Sequence, residues 1–383
     1  MQRAKRGHYP SPNYPYCLFM PLKMLVISNY RPTHTARPEA EIMLGLAQKG
    51  MKITVMTYGD AEYVPIFKEA GIAVIDFYPR KKFDRAQRRF IRAELKRGDY
   101  DLMHLFTGRA MYNGIPAARG LRTKVVLYRG YEGHVHWYDP SAYLKFLHPR
   151  VDAILCNSEG VEEYLRRQMR LVRNRTVTIN KGHRLEWYDS VEPLPMAELG
   201  LPEEGFYAVC AANNRKMKGI PYLLEAFRYI PNRLNLHLLL LGRDMDNEEN
   251  LKIVAKAGKQ NRVHFLGWRA DSLRIVKGAD TFVLPSLYGE SITKSVLESM
   301  SMGTPAIITD IPGNREMIVD GESGYVVPKK HPKLMASALL KMARDRERCR
   351  EMGEAARERI ATRFSSARSI EQYFEFYRQL AAR

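Results

Sequence analysis

The chain has 383 residues, enough for two domains of ordinary size with a core each, and at 45% hydrophobic and 27% charged residues it reads as globular, not disordered. A formal charge of +19 points to a polyanion or an anionic surface as partner. Cys17, Cys156, Cys210 and Cys349 lack paired spacing, which argues against a disulfide framework or a cysteine metal site and suits a reduced, cytoplasmic setting; no apolar run approaches the roughly 18 residues of a spanning helix.

Residues 1–22, rich in Pro, Tyr and basic groups, have no uninterrupted apolar stretch and read as an extension, with Met20 and Met24 as alternative starts. A strand is expected over 24–28. A loop with Pro32 and Pro38 follows, then a helix over 39–49 stopped by Gly50. Alternation continues with a strand at 53–57, a helix at 62–70, a strand at 72–77, a basic helix at 83–97 and strands at 102–106, 124–128 and 153–156. Such alternation predicts a parallel sheet wound on both sides, with ligands at the carboxyl ends of its strands. Residues 189–204, with Pro193, Pro195 and Pro202, break the period and read as a linker. The pattern restarts with strands at 207–211, 236–241, 263–266, 281–284 and 306–308. It turns wholly helical from His331, ending in an amphipathic segment over 366–380. The domains are therefore placed at 23–192, joined by 366–383, and at 193–365.

The stretch from Leu284 to Gly303 carries the densest chemistry. A buried strand stops at Pro285, and Ser291 is expected to cap a helix whose apolar positions are Ile292, Val296, Leu297 and Met300. The amides of Ile292, Thr293 and Lys294 would then face outward at the positive end of the helix, a ready phosphate site. Glu290 precedes the helix and Glu298 lies two turns inside it, a spacing suited to a ligand with hydroxyls at both ends and phosphates between. The plainer alternative pairs Glu298 with Lys294 and leaves Glu290 in a solvated loop.

Glu290, seven residues, Glu298, then Ser301-Met302-Gly303-Thr304-Pro305 resembles the paired-glutamate motif of glycosyltransferase family 4, retaining enzymes of GT-B fold. Pro312-Gly313-Asn314-Arg315-Glu316, with Asp320-Gly321 and Gly324, is similar to the family's next run. The resemblance implies two Rossmann-like, doubly wound parallel-sheet domains facing a central cleft. It also implies that Glu290 meets the transferred sugar, Glu298 the ribose, and Ser291, Ile292, Thr293 and Lys294 the diphosphate. The loop from Asn213 to Gly219 resembles the family's basic loop, which gives Arg215 and Lys218 the diphosphate as well. Gly267 and Trp268 fall beside the nucleobase, where Trp268 either stacks on the base or packs into the protein.

The first domain departs from the family pattern twice. Thr33 to Glu39 stands where relatives carry paired glycines, leaving Arg37 as a substitute cation. Arg129 occupies the place of the family's histidine, with Glu132, His134 and His136 as alternatives on the same loop. His104 is expected to be packed. Between Arg80 and Arg97 nine basic residues face two acidic ones, with Lys81, Arg85, Arg88, Arg92 and Lys96 on one face and Phe83, Ala86 and Phe90 on another. This helix, with the run from Arg166 to Arg175, suits an anionic membrane surface; a charged solvent face is the alternative.

The resemblance thus implies a transferase moving a sugar from a nucleoside diphosphate to a hydroxyl of a lipid-linked or lipopolysaccharide-type glycan. It would be peripheral on the inner face of the cytoplasmic membrane, with no cofactor, no metal and no nucleic acid. A GT-B epimerase or phosphorylase, or a basic nucleic-acid binder, are the alternatives.

Overall fold

The computed structural model describes residues 21–170 and 172–383. Most of the extension, and Cys17, lie outside the described residues. The first sheet contains β1 (Lys23–Ile27), β2 (Lys52–Thr57), β3 (Ala73–Asp76), β4 (Leu102–Leu105), β5 (Lys124–Arg129), β6 (Ala153–Cys156) and β7 (Thr176–Thr178), ordered β3-β2-β1-β4-β5-β6-β7 and parallel throughout. The second contains β8 (Phe206–Ala211), β9 (Leu236–Leu241), β10 (Val263–Gly267), β11 (Thr281–Leu284), β12 (Ala306–Thr309) and β13 (Gly324–Val327), ordered β10-β9-β8-β11-β12-β13 and also parallel. The edge strands β7 and β13 are too short to stand out as periodic runs.

Helices cover both faces. The first domain carries α1 (Thr33–Gln48), α2 (Tyr63–Glu69), α3 (Arg85–Gly98), α4 (Gly108–Ala117) and α5 (Glu159–Gln168); the second carries α6 (Ile220–Phe227), α7 (Glu248–Ala257), α8 (Ser272–Gly278), α9 (Lys294–Ser301), α10 (Pro332–Arg344) and α11 (Arg346–Thr362). Because successive strand residues face opposite ways, Met24 and Val26 enter one core while Leu25 and Ile27 enter the other. Strands buried on both sides have no polar face, which is why they read as unbroken apolar runs.

The last helix, α12 (Ser366–Ala381), returns to the first domain, where Tyr373, Tyr377 and Leu380 join the core beside α1. Its entry is fixed where the chain at Gly182 and His183 meets Ser365. His183 N donates to Phe364 O at 2.8 Å, and a Cβ on Gly182 would lie 2.2 Å from Ser365 O. His104 is packed, as expected: burial keeps it neutral and Tyr377 Oη sits 2.6 Å from its Nδ1.

Four expectations need correcting. Pro38 lies inside α1, which starts at Thr33, so the loop expected at 33–38 is helical. Within the expected linker Leu194 and Met196 already pack into the second core, and Leu194 N donates to Arg274 O. On α3 the buried residues are Ile91, Glu94 and Leu95, while Phe83 and Phe90 are 59% and 45% exposed. Arg92 of the expected solvent face turns in and donates to the Ala117 and Arg119 carbonyls, at the negative end of α4. In the second basic run Arg175 likewise turns inward, to the Pro149 and Val151 carbonyls.

Candidate active site

The second sheet reverses its winding between β8 and β11, and in wound sheets ligands bind outside the strand ends at such a point. The two loops that meet there are pressed together. Leu287 N donates to Met217 O at 2.7 Å. Gly219, at φ +65°, approaches so closely that a Cβ would lie 2.2 Å from Pro285 O. This contact brings Lys218 Nζ to 2.5 Å from Glu290 Oε1, which also accepts from Ser286 Oγ at 2.9 Å. Thr293 Oγ1 lies 3.3 Å from the other Glu290 oxygen and 2.9 Å from Asn314 Oδ1, so its one proton serves either acceptor. The Glu290 and Lys218 side chains are only 11% and 16% exposed, so each charge depends on the other. Arg215 is exposed, and among the described residues its guanidinium has no ion pair.

Helix α9 begins at Lys294, later than expected. Thr293 occupies the cap position without a capping side-chain bond, because its hydroxyl is engaged by Glu290 and Asn314. Ser291 is therefore not the cap; its hydroxyl donates across the cleft to Ser158 Oγ at 3.0 Å. Among the described residues the amides of Ile292, Thr293, Lys294 and Ser295 have no acceptor. Glu298 stands one turn inside the helix, not two, and is paired with Lys294. Trp268 is 66% exposed and not packed, following Gly267, whose carbonyl accepts from Gly242 N.

On the first-domain side a cleft cavity of about 400 Å³ lies between Gly108, Tyr128, Arg129, Lys181 and His183 and, from the second domain, Ile292, Lys294 and Leu297. Arg129 is buried, which lowers its pKa. It is spent on its own loop, donating to Tyr131 O at 2.8 Å and to Gly133 O, and stacked 3.7 Å over the Tyr131 ring. His134, at φ +57°, and His136, stacked on Tyr138, do not line this cavity, and neither does Glu132. Arg37 lies 4.4 Å over the Trp187 ring. Burial brings His183 down to about 3, with the charges of Lys294 and Arg37 adding to the effect, and its Nδ1 is 2.8 Å from Tyr188 Oη.

Sequence reasoning gave Lys181 no chemical role; burial disfavours it as a cation, but Glu39, at 2.8 Å, and Tyr128 hold it charged, its pKa raised. It missed the Ser286 hydroxyl. It gave Glu316 no role; this carboxylate accepts from Glu159 N and Gly160 N at 3.0 Å each, joining the second domain to the start of α5. Among the described residues no group of three His, Cys, Asp or Glu is placed to hold a metal.

The family model described as "Glycosyltransferase Family 4" matches residues 40–187, and the one described as "Glycosyl transferases group 1" matches residues 193–359. The chain is a GT-B glycosyltransferase of family 4. Among its relatives, EpsD of Bacillus subtilis, named as a glycosyltransferase, is 28% identical over 73% of this chain and 76% of its own. The lipopolysaccharide core biosynthesis glycosyltransferase LpsE of Rhizobium meliloti is 27% identical over 58% of this chain and 63% of that protein. Anabaena HepE, solved in complex with UDP, superposes with a TM-score of 0.74 at 18% identity, over 94% of this chain and all of that one. LpsE is named for lipopolysaccharide core biosynthesis, and this chain is a glycosyltransferase acting on a glycan or lipid-related acceptor.

Proposed function

We propose that this family 4 enzyme transfers a sugar from a uridine diphosphate donor, with retention of anomeric configuration, to a hydroxyl of a lipid-linked or lipopolysaccharide-type glycan. The observation that carries the reading is the Lys218–Glu290 pair set beside free amides and an unpaired Arg215 at the reversal point of the second sheet. The UDP held by HepE and the name of LpsE support the donor and the acceptor class.

Glu298 holds the ribose, exchanging Lys294 for its hydroxyls, and Trp268 covers the base. Arg215, Lys218 and the amides from Ile292 to Ser295 receive the diphosphate. As the anomeric carbon–oxygen bond breaks, negative charge grows on the leaving phosphate, and fixed cations and amides stabilise it more than the ground state. The acceptor oxygen attacks from the same face and its proton passes to the leaving phosphate, so no protein nucleophile is used. Glu290 orients the sugar. The cations and the helix end serve in place of a metal. The exposed Phe83 and Phe90, with Lys81, Lys82, Arg85 and Arg89 around them, rest on an anionic membrane, on its cytoplasmic face.

A thermal-shift series with UDP, GDP, ADP and CMP, each with and without magnesium, tests this. Binding to the native state alone adds about 2.7 kcal/mol at a hundredfold excess over Kd. A shift with UDP that is independent of magnesium and lost in Glu298→Ala is expected. No shift with any nucleotide overturns the donor assignment.

A further inference from the structure

The first sheet has a reversal point of its own, between β1 and β4, and a second cavity of about 360 Å³ opens there. We propose that this cavity is a subsite for a phosphate carried by the acceptor. The assignment rests on the reading of the chain as a sugar transferase whose acceptor enters on the first domain.

Lys82, Arg109 and Lys145 converge on the cavity, with Asn29 and Tyr112 beside them, and none of its lining residues is acidic. Among the described residues the three cationic head groups have neither an ion pair nor a hydrogen bond, and it is their convergence on one concavity without a carboxylate that sets them apart. Three uncompensated cations around a concavity repel one another and select an anion. Their backbone is fixed in advance: the buried Asn113 side chain donates to the Lys81 and Lys82 carbonyls at 2.8 and 3.3 Å and accepts from Asp84 N at 3.2 Å, tying that loop to α4. Lys145 Nζ lies 5.0 Å from the Tyr112 ring, which packs at 4.7 Å against exposed Phe83.

Gly108 and Lys145 line both this cavity and the cleft cavity, so the two are neighbours. An acceptor with its hydroxyl in the cleft and its phosphate in the second cavity spans that shared boundary. Phe83 and Phe90 then lie where an attached lipid would leave the protein. The chemistry recognised is a phosphate or diphosphate ester, which either a polyprenyl carrier or a phosphorylated glycan supplies.

Calorimetric titration of the full chain with inorganic pyrophosphate, farnesyl diphosphate and farnesol, in the presence of saturating UDP for every form except Glu298→Ala, tests the subsite. The variants are Lys82→Gln/Arg109→Gln, Arg109→Lys and Glu298→Ala. Farnesyl diphosphate binding is expected to weaken tenfold or more in the double variant, to persist in Arg109→Lys and Glu298→Ala, and to leave the UDP affinity of the double variant at the wild-type value. Farnesyl diphosphate binding tenfold tighter than pyrophosphate marks the lipid carrier; equal binding marks a phosphorylated glycan. The proposal is overturned if the double variant binds both anions as the wild type does, if farnesol binds equally well, or if the anions are lost only in Glu298→Ala. Absence of UDP binding by the wild type counts against the donor assignment alone, because the anion titrations can then be run without it.

Discussion

Replacing Glu290 by Gln separates the two tasks assigned to the Lys218–Glu290 contact. In the resting enzyme the Lys218 ammonium is held by Glu290, so an incoming diphosphate must draw it away. Gln keeps the shape and the bond from Ser286 but removes the charge. A hydrogen bond to a charged partner is worth about 1.5–3 kcal/mol, and at an effective dielectric of about 20 two charges 4 Å apart interact by about 4 kcal/mol. Releasing part of that interaction to the diphosphate should tighten UDP binding by about 1 kcal/mol, roughly fivefold. The reacting sugar loses the carboxylate that orients it, and misplacing a reacting group by about 1 Å costs on the order of 10²-fold in kcat. Calorimetry against UDP and a UDP-release assay measure the two effects independently. UDP binding weakened tenfold with kcat within threefold of wild type would refute the assignment.

Glu298→Ala leaves Lys294 without its partner and removes the ribose contact; UDP affinity should fall by about tenfold or more, read by the same titration. Gly219→Ala forces a Cβ onto Pro285 O at a positive φ and should cost about 2–4 kcal/mol of stability, visible as a drop in Tm, with nucleotide binding lost because the two loops can no longer meet. Glu316→Gln weakens the bonds to the first amides of α5 without changing shape; small-angle scattering without nucleotide should report a more open molecule, and an unchanged profile counts against a latch. His183 has a folded pKa of about 3, below its unfolded value, so its contribution is complete above about pH 6.5 and is lost as pH falls toward 3. Unfolding free energies from urea titrations at pH 7.5 and 5 should therefore differ by about 1–2 kcal/mol more in the wild type than in His183→Gln.

What could be read from the sequence was what is local. The strand ending at Leu284, the spacing of Glu290 and Glu298, and the alternation that builds two wound sheets depend on neighbours a few residues away, and the structure carries them. The start of α9 could not be read, because the hydroxyls that compete for the cap are drawn off by Asn314 and by Ser158, which is 133 residues away. The inward face of α3 is set by the end of α4 at Ala117, so the amphipathic pattern alone placed Arg92 on the outward basic face. Pro38 reads as a helix breaker, yet helix α1 runs through it. The sequence around Lys181 carries no local sign of a buried ion pair. Its partner Glu39 stands 142 residues earlier, and no local pattern joins them.

The return of α12 to the first domain also bears on how the protein is made. Tyr377 bonds to His104, 273 positions earlier, and fills the same core as Tyr30 and Phe67. While the ribosome is still producing the second sheet, the first must wait with an open apolar face beside α1, because the helix that seals it has not yet been translated. The second domain, whose core draws on nothing beyond Phe364, can be complete before the first. Removing residues 366–383 should therefore leave the second sheet folded and expose the first to proteases, inverting the usual rule that a carboxyl-terminal truncation damages the domain it is cut from.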